Sequence, residues 1–298
     1  ALLDSGNEKE LIDRFYKNLS FGTGGLRGIL GAGDNRINIY NIRKATQGLA
    51  NCVKKYHTGQ TKPQVVITYD CRRFSDVFAY EAAKVLAGNQ IVAFLTQSLR
   101  PTPFLSYAVR ELKANAGIVI TASHNPPEYN GFKVSWSDGG QVIPPFDEEI
   151  IHEVNHIQPE DVRIISSMES AQTQGLIQFV STFVEEKFAE TCAEQVMDQA
   201  RLQSYSSKMK VVYTSLHGTG ITMIPFVMEK LGVKNFFTVP EQEKPDGNFP
   251  TVKSPNPEDP EALEYAIRLA KEKNADLIIA TDPDADRIGI GYADHQGE

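Results

Sequence analysis

Ser123 and the aspartates Asp282, Asp284 and Asp286 are the residues of this chain whose types and spacing could carry chemistry. The aspartates alternate, so in an extended loop they would point apart; they converge only if the backbone turns, which Pro283 and Ala285 allow. Three like charges held together repel and raise one another's pKa values. A divalent cation that prefers oxygen ligands, such as Mg²⁺, relieves that repulsion. A solvated acidic loop is the alternative, disfavoured by the buried strand that leads directly into the cluster. A serine hydroxyl is a poor nucleophile until a metal or cations stabilise developing charge. Around Ser123, Ala122 is small, His124 and Asn125 are polar, and Pro126-Pro127 stops a helix from absorbing the loop. Lys133 follows at a distance that lets it return toward the serine across a hairpin. A hydroxyl beside three carboxylates and a lysine points to a metal-supported phosphoryl site.

Both clusters have the same approach. Tyr107-Ala108-Val109-Arg110 runs on to Ile118-Val119-Ile120, and Tyr265-Ala266-Ile267-Arg268 runs on to Leu277-Ile278-Ile279. Aligning Asn115-Ala116 with Asn274-Ala275 sets Ser123 opposite Asp282. In each copy a charged helix feeds a buried β-branched strand, and ligands of open α/β sheets bind beyond the carboxyl ends of strands. Val65-Val66-Ile67-Thr68 and Val211-Val212-Tyr213-Thr214 extend the likeness, so one α/β unit is used twice. Periodicity predicts helices over 8–20, 42–56, 78–87, 102–112, 179–199, 224–231 and 261–273. It predicts strands over 63–69, 91–95, 209–214, 235–239 and 277–281, and one running through 118–120 to Ser123. Asn130-Gly131 reads as a hairpin turn, 139–170 as polar and less periodic, and 247–258 as a surface loop. A first domain over 1–180 and a second over 181–298 follow, with the boundary somewhere in 170–205.

Gly22-Thr23-Gly24-Gly25-Leu26-Arg27-Gly28 reads as a loop, and its spacing and preceding helix exclude a dinucleotide fingerprint. Freely approached backbone N–H groups beside Arg27 suit a phosphate, or else form a plain turn. Arg287 gains interest by adjoining Asp286. His217 reads as fixing its own loop, and Asp70 with Arg72 as holding the loops of the first domain. An EF-hand fits poorly, since Arg287 stands where its glycine would be and Ala293 where its glutamate would be. A haloacid-dehalogenase nucleophile fits in part through Asp282 and Asp284, with Asp286 where Thr or Val belongs. That leaves open a phosphatase that forms an aspartyl phosphate on Asp282.

The bulk composition sets the class. The 298 residues, 41% hydrophobic and 23% charged, suffice for two ordinary domains. A net charge of −8 argues against a nucleic-acid partner. Cys52, Cys71 and Cys192 are scattered without metal-ligand spacing and read as reduced thiols, which predicts a cytoplasmic protein. No apolar run approaches the roughly 20 residues that span a bilayer, so no membrane partner is expected. Arg287 to Tyr292 alternates like an edge or hairpin strand, with Asp294 to Glu298 as its turn. A return strand and the missing initiator Met predict a piece of a longer protein.

Thr121-Ala122-Ser123-His124-Asn125-Pro126-Pro127 with Asn130-Gly131-Phe132-Lys133 resembles the phosphoserine loop of the α-D-phosphohexomutases, the family of phosphoglucomutase and phosphomannomutase. Asp282 to Arg287 resembles that family's metal loop, and Gly22 to Gly28 its N-terminal arginine loop. The resemblance implies two tandem α/β/α three-layer domains with related mixed sheets, the first two of a four-domain enzyme. The sugar-binding and phosphate-binding domains 3 and 4 are then missing, and the fragment is expected to be inactive alone. It further implies that phosphorylated Ser123 exchanges its phosphoryl group with sugar phosphates through a sugar 1,6-bisphosphate, which also acts as activator. Mg²⁺ would be held by Asp282, Asp284, Asp286 and a phosphoserine oxygen. Lys133 would be general acid/base or a source of charge; Arg27, Arg287 and His124 would complete the catalytic set. Hexose phosphates are the expected substrates, with pentose phosphates as the alternative. A metal- and phosphate-binding module without turnover is the non-enzyme reading. Counting ordinary charges, the site is near neutral when phosphorylated and cationic by about two charges without the phosphoryl group. The bare form should therefore bind anions.

Overall fold

The computed structural model describes residues 7–22 and 25–293. Two buried, β-branched strands, β2 (Gln64–Tyr69) and β4 (Ala116–Ile120), lie parallel at the centre of the first sheet. With β1 (Gly25–Ile29), β3 (Val92–Leu95), β5 (Tyr129–Trp136) and β6 (Ile177–Phe179) they form a six-stranded sheet of order β1-β5-β4-β2-β3-β6. β1 and β5 run antiparallel to their neighbours, which makes the sheet mixed. The second sheet contains β7 (Lys210–Thr214), β8 (Asn235–Thr238), β9 (Leu277–Thr281) and β10 (Ile288–Tyr292), in the order β10-β9-β7-β8. Only β10 is antiparallel there. The second sheet thus repeats the β5-β4-β2-β3 part of the first strand for strand. The loop after β4 and the loop after β9 are equivalent.

Helices cover both faces of each sheet, because fully buried parallel strands leave no face for water. In the first unit α1 (Glu8–Phe15) precedes the sheet, and α2 (Ile39–Tyr56), α3 (Ser75–Gly88), α5 (Phe146–His156) and α6 (Met168–Thr173) cover one face. Asn38 caps α2 by accepting hydrogen bonds from the Tyr40 and Asn41 amides. The opposite face is covered by α4 (Thr102–Glu111), through Phe104, Leu105 and Val109, and by α7 (Thr182–Glu194), through Val184. A short α8 (Gln199–Tyr205) leads into the second unit. There α9 (Ile224–Lys230) covers one face and α10 (Glu264–Lys273) the other. These are two tandem α/β/α units with mixed sheets. No helix among the described residues is long and apolar enough to cross a membrane.

Several expectations are corrected. Residues 25–29 are a strand, with Arg27 paired to Gly131, so the glycine-rich segment is a loop only in its earlier part. Thr23 and Gly24 lie outside the described residues, as does the turn expected over 294–298. Asn130-Gly131 is not a turn but lies near the start of β5. A Cβ on Gly131 would sit 2.5 Å from the Thr121 carbonyl oxygen and 2.6 Å from that of Leu26, so glycine there reflects backbone crowding. Within the less periodic 139–170, α5 packs Ile150 and Val154 into the core. The helix expected over 179–199 is shorter at both ends, α7 over Thr182–Glu194: Phe179 ends β6, Ser181 caps α7 by accepting from the Phe183 amide, and α8 begins at Gln199. The 247–258 tract is no loose surface loop either: Phe249 is 1% exposed. Its ring lies 5.0 Å from the Arg72 guanidinium carbon, and Arg73 Nε donates to Asn248 Oδ1 at 2.8 Å, so this tract docks the second unit on the first.

Candidate active site

Beyond β9 the chain turns back on itself. The Ala285 amide donates to the Asp282 carbonyl at 3.0 Å, and Ala285 takes a left-handed φ of 53°. That conformation costs a non-glycine residue about 1–2 kcal/mol. Asp282 Oδ1 accepts from the amides of Asp286 and Arg287 at 3.1 and 3.2 Å, which closes the loop. Two threonines hold it from outside: Thr219 donates N–H and Oγ1 to the Pro283 carbonyl, and the Thr102 amide donates to the Asp284 carbonyl at 2.8 Å. One carboxylate oxygen from each of Asp282, Asp284 and Asp286 then lies within 4.8 Å of the others.

Beyond β4 the equivalent loop presents Ser123, which is 3% exposed and also left-handed, with φ 52°. Its amide donates to Thr121 Oγ1 at 2.9 Å. Ser123 Oγ donates to Asp282 Oδ2 at 2.7 Å and lies 3.2 Å from His124 Nδ1. A hydroxyl has one proton, so while it donates to Asp282, the His124 contact is a hydrogen bond only if Nδ1 carries the imidazole proton. The loop is shaped by Arg72, whose guanidinium donates to the carbonyls of Ser123 at 2.6 Å, Pro126 at 2.8 Å and Tyr129 at 3.0 Å, and also to Asn125. Asp70 faces Arg72 at 3.4 Å with both side chains fully buried. A buried pair of this kind is weak evidence for stability. Its clear effect is to aim the guanidinium at four carbonyls.

The charges are strongly coupled. Lys133 Nζ bridges Asp284 Oδ2 at 2.9 Å and Asp286 Oδ2 at 3.3 Å. Burial, then the neighbouring Asp284 and Asp286, pushes the Asp282 carboxyl up to about 8. Burial also acts to raise Asp284, but the Lys133 ammonium and hydrogen bonds from its neighbours outweigh it and hold that carboxyl below its ordinary value. The pair thus keeps one proton between them. Burial lowers the His124 imidazole, and the Arg287 and Arg27 guanidinium groups lower it further, which favours the neutral ring.

This donor set fits a hard divalent cation. All three side chains offer oxygen. Asp284 Oδ1 is buried with no N–H or hydroxyl partner among the described residues. Leaving such an atom unsatisfied costs about 1–3 kcal/mol, and a cation would remove that cost.

The structure therefore brings together Ser123, His124, Lys133 and the three aspartates. Arg27 reaches the serine loop indirectly, donating to Asn125 Oδ1 at 3.1 Å. The Arg287 side chain stands at the rim, 41% exposed and 3.3 Å from Glu258 Oε1, and only its amide touches the aspartate loop. His217 does not fix its own loop but ties it to the later tract, with Nε2 2.9 Å from Thr251 Oγ1 and Nδ1 3.2 Å from the Lys244 carbonyl oxygen. Sequence reasoning missed Thr102, which donates Oγ1 to Asp284 Oδ2 at 2.9 Å from the first unit. The available signal was Pro101-Thr102-Pro103, a stiffened helix start whose first amide has no acceptor within the helix.

Comparison with known proteins bears on the family and the fold. Residues 18–161 match the family described as phosphoglucomutase/phosphomannomutase, alpha/beta/alpha domain I, and residues 186–296 match its domain II. A phosphoglucomutase of Staphylococcus aureus (strain bovine RF122 / ET3-1) is 41% identical over 292 residues, covering 96% of this chain and 50% of the relative. The phosphoglucomutase of strain MRSA252 is 41% identical over 290 residues, with the same half of its length covered. The chain spans about half the length of the curated relatives it matches. Among solved structures, a putative phosphomannomutase from Thermus thermophilus superposes with a TM-score of 0.76 at 24% identity, covering 93% of this chain and 57% of that one. A phosphoglucomutase/phosphomannomutase family protein from Burkholderia thailandensis gives 0.69 at 21% identity, covering 91% and 54%. Both likenesses are of fold. With domain I and domain II matched in order along one polypeptide, this chain belongs to the phosphoglucomutase/phosphomannomutase family.

Proposed function

We propose that this chain supplies the phosphoserine and metal half of a phosphohexomutase, which moves a phosphoryl group between the 1- and 6-positions of glucose or mannose. The observation that carries the reading is Ser123 Oγ at 2.7 Å from Asp282, a contact between the two units. Asp282, Asp284 and Asp286 would hold Mg²⁺, with an oxygen of phosphorylated Ser123 as a further ligand. When bound, the ion supplies Lewis-acid stabilisation of charge on the transferring group.

The chain's own groups account for the rest. Ser123 Oγ carries or accepts the phosphoryl group: a P–O bond to the serine breaks as one to a sugar hydroxyl forms, and the resulting sugar bisphosphate returns its other phosphoryl group to Ser123 as its own P–O bond breaks. Lys133, poised on Asp284 and Asp286, is placed to hold or release the proton of the sugar hydroxyl. Burial acts to lower the Lys133 ammonium, but Asp284 and Asp286 outweigh it and raise its pKa, so it rests as the acid. Arg72 fixes the curvature of the serine loop. Neutral His124 can hold a proton at Nδ1 toward Oγ. Arg27 and Arg287 flank the opening as donors for phosphate oxygens. Gripping the distal phosphate and the sugar falls to further domains, so the 298 residues alone are expected to turn over poorly. Sugar phosphates are the partners and the cytoplasm the place of action, with a sugar 1,6-bisphosphate as activator.

The test is to treat the chain with glucose 1,6-bisphosphate and map covalent phosphate by peptide mass spectrometry. Phosphate on Ser123 that survives acid and hydroxylamine supports the reading. Label lost to hydroxylamine and mapped to Asp282 would instead establish the aspartyl-phosphate phosphatase.

A further inference from the structure

Asp284 is the carboxylate of the trio held by two side chains of the first unit, Thr102 and Lys133. Its two oxygens are treated differently. Oδ2 accepts from Thr102 Oγ1 at 2.9 Å and from Lys133 Nζ at 2.9 Å, whereas Oδ1 has neither an N–H nor a hydroxyl partner among the described residues. Lys133 cannot fix this orientation alone. Its ammonium ends a flexible four-carbon stem and is shared with Asp286 at 3.3 Å, so it can follow the carboxylate as it swings.

Thr102 cannot follow. It is the first residue of α4, set between Pro101 and Pro103, and α4 is anchored by the fully buried Phe104, Leu105, Ala108 and Val109. The same residue holds the Asp284 main chain, its amide donating to the Asp284 carbonyl at 2.8 Å. Main-chain and side-chain bonds from one rigid residue leave the Asp284 carboxylate little freedom to rotate. Resting on the metal reading above, we infer that Thr102 is a positioning residue that commits Asp284 Oδ2 to the first unit and leaves Oδ1 for the cation. The consequence is that a side chain of the first unit sets the metal affinity of a loop belonging to the second.

The test uses the full chain with Mn²⁺, read by electron paramagnetic resonance, and Mg²⁺, read by calorimetry. Thr102→Val keeps the shape of the side chain and removes the hydroxyl; Thr102→Ser keeps the hydroxyl. Wild type is expected to bind one ion, Thr102→Val to bind it about tenfold more weakly, as loss of an outer partner of a ligand typically does, and Thr102→Ser to bind like wild type. If wild type binds no ion, the metal reading fails first. If wild type binds and Thr102→Val binds equally, or if Val and Ser weaken binding alike, the role of the hydroxyl is overturned. Should Thr102→Val not fold, the wild-type chain decides: the Thr102 amide gains protection from hydrogen exchange on Mg²⁺ saturation, and unchanged protection overturns the inference.

Discussion

Asp282 carries the chemistry of the site at its smallest scale, because it touches the serine and repels two other acids. In the metal-free chain its carboxyl stays protonated up to about 8, well above the ordinary 3.8. A cation binding there must displace that proton. Mg²⁺ affinity should therefore fall as pH drops below about 8, by up to about tenfold per pH unit for one proton, and level off above. Calorimetry in buffers of different ionisation enthalpy will count the proton released, and affinity independent of pH from about 6 to 8 would contradict the argument. Ser123→Ala should abolish covalent labelling by glucose 1,6-bisphosphate while leaving Mg²⁺ binding to the carboxylates measurable. The aspartates and the serine were legible in the sequence because their spacing is local and directly follows recognisable strands. Thr102 was not, because its function depends on Asp284, a partner in the other half of the chain. Nor was the rim position of Arg287, since Glu258 competes for its side chain through space.

Among the elements, β5 and the docking tract differ most from what periodicity suggests. Asn130-Gly131 has the composition of a turn, yet lies within a strand, because β1 and the start of the serine loop both crowd its backbone. Gly131→Ala would drive a Cβ against two carbonyl oxygens that cannot yield as a flexible side chain can. Such overpacking costs about 1–3 kcal/mol, which the midpoint of urea denaturation will register. The 247–258 tract is rich in proline and polar residues and so looked solvated. Phe249 nevertheless inserts against Arg72, the residue that shapes the serine loop. Phe249→Ala should cost about 3–5 kcal/mol from the lost ring and residual cavity. It should also slow labelling of Ser123 more than an equally destabilising substitution in α2, such as Leu49→Ala. Strands β2, β4, β7 and β9 were legible because full burial leaves continuous apolar runs. The α7 region was not, since a cap at Ser181 is a single-residue signal inside an otherwise helical pattern.

At the scale of the whole molecule, the site exists only where the two sheets meet. Ser123, Lys133 and Thr102 come from one unit and the three acids from the other, so anything that binds all of them fastens the units together. Mg²⁺ at about a hundred times its dissociation constant should raise unfolding free energy by about 2.7 kcal/mol, read as a shift of the thermal midpoint. Asp284→Ala should remove that shift. The repeated strand order was visible in the aligned approaches to Ser123 and Asp282, whereas the docking geometry depends on contacts that no local pattern encodes.

α7 belongs to both halves. Val184 and Phe188 pack with the first unit's helix-covered face, while Glu190 pairs with Lys230 of α9 at 3.2 Å. The segment after α7 includes Met197, whose side chain is fully in solvent. A protease nick at Met197 would cut the covalent link without opening either interior. Two separately expressed pieces divided there should therefore find each other and reconstitute the site, with α7 serving as the handle by which the first piece recaptures the second.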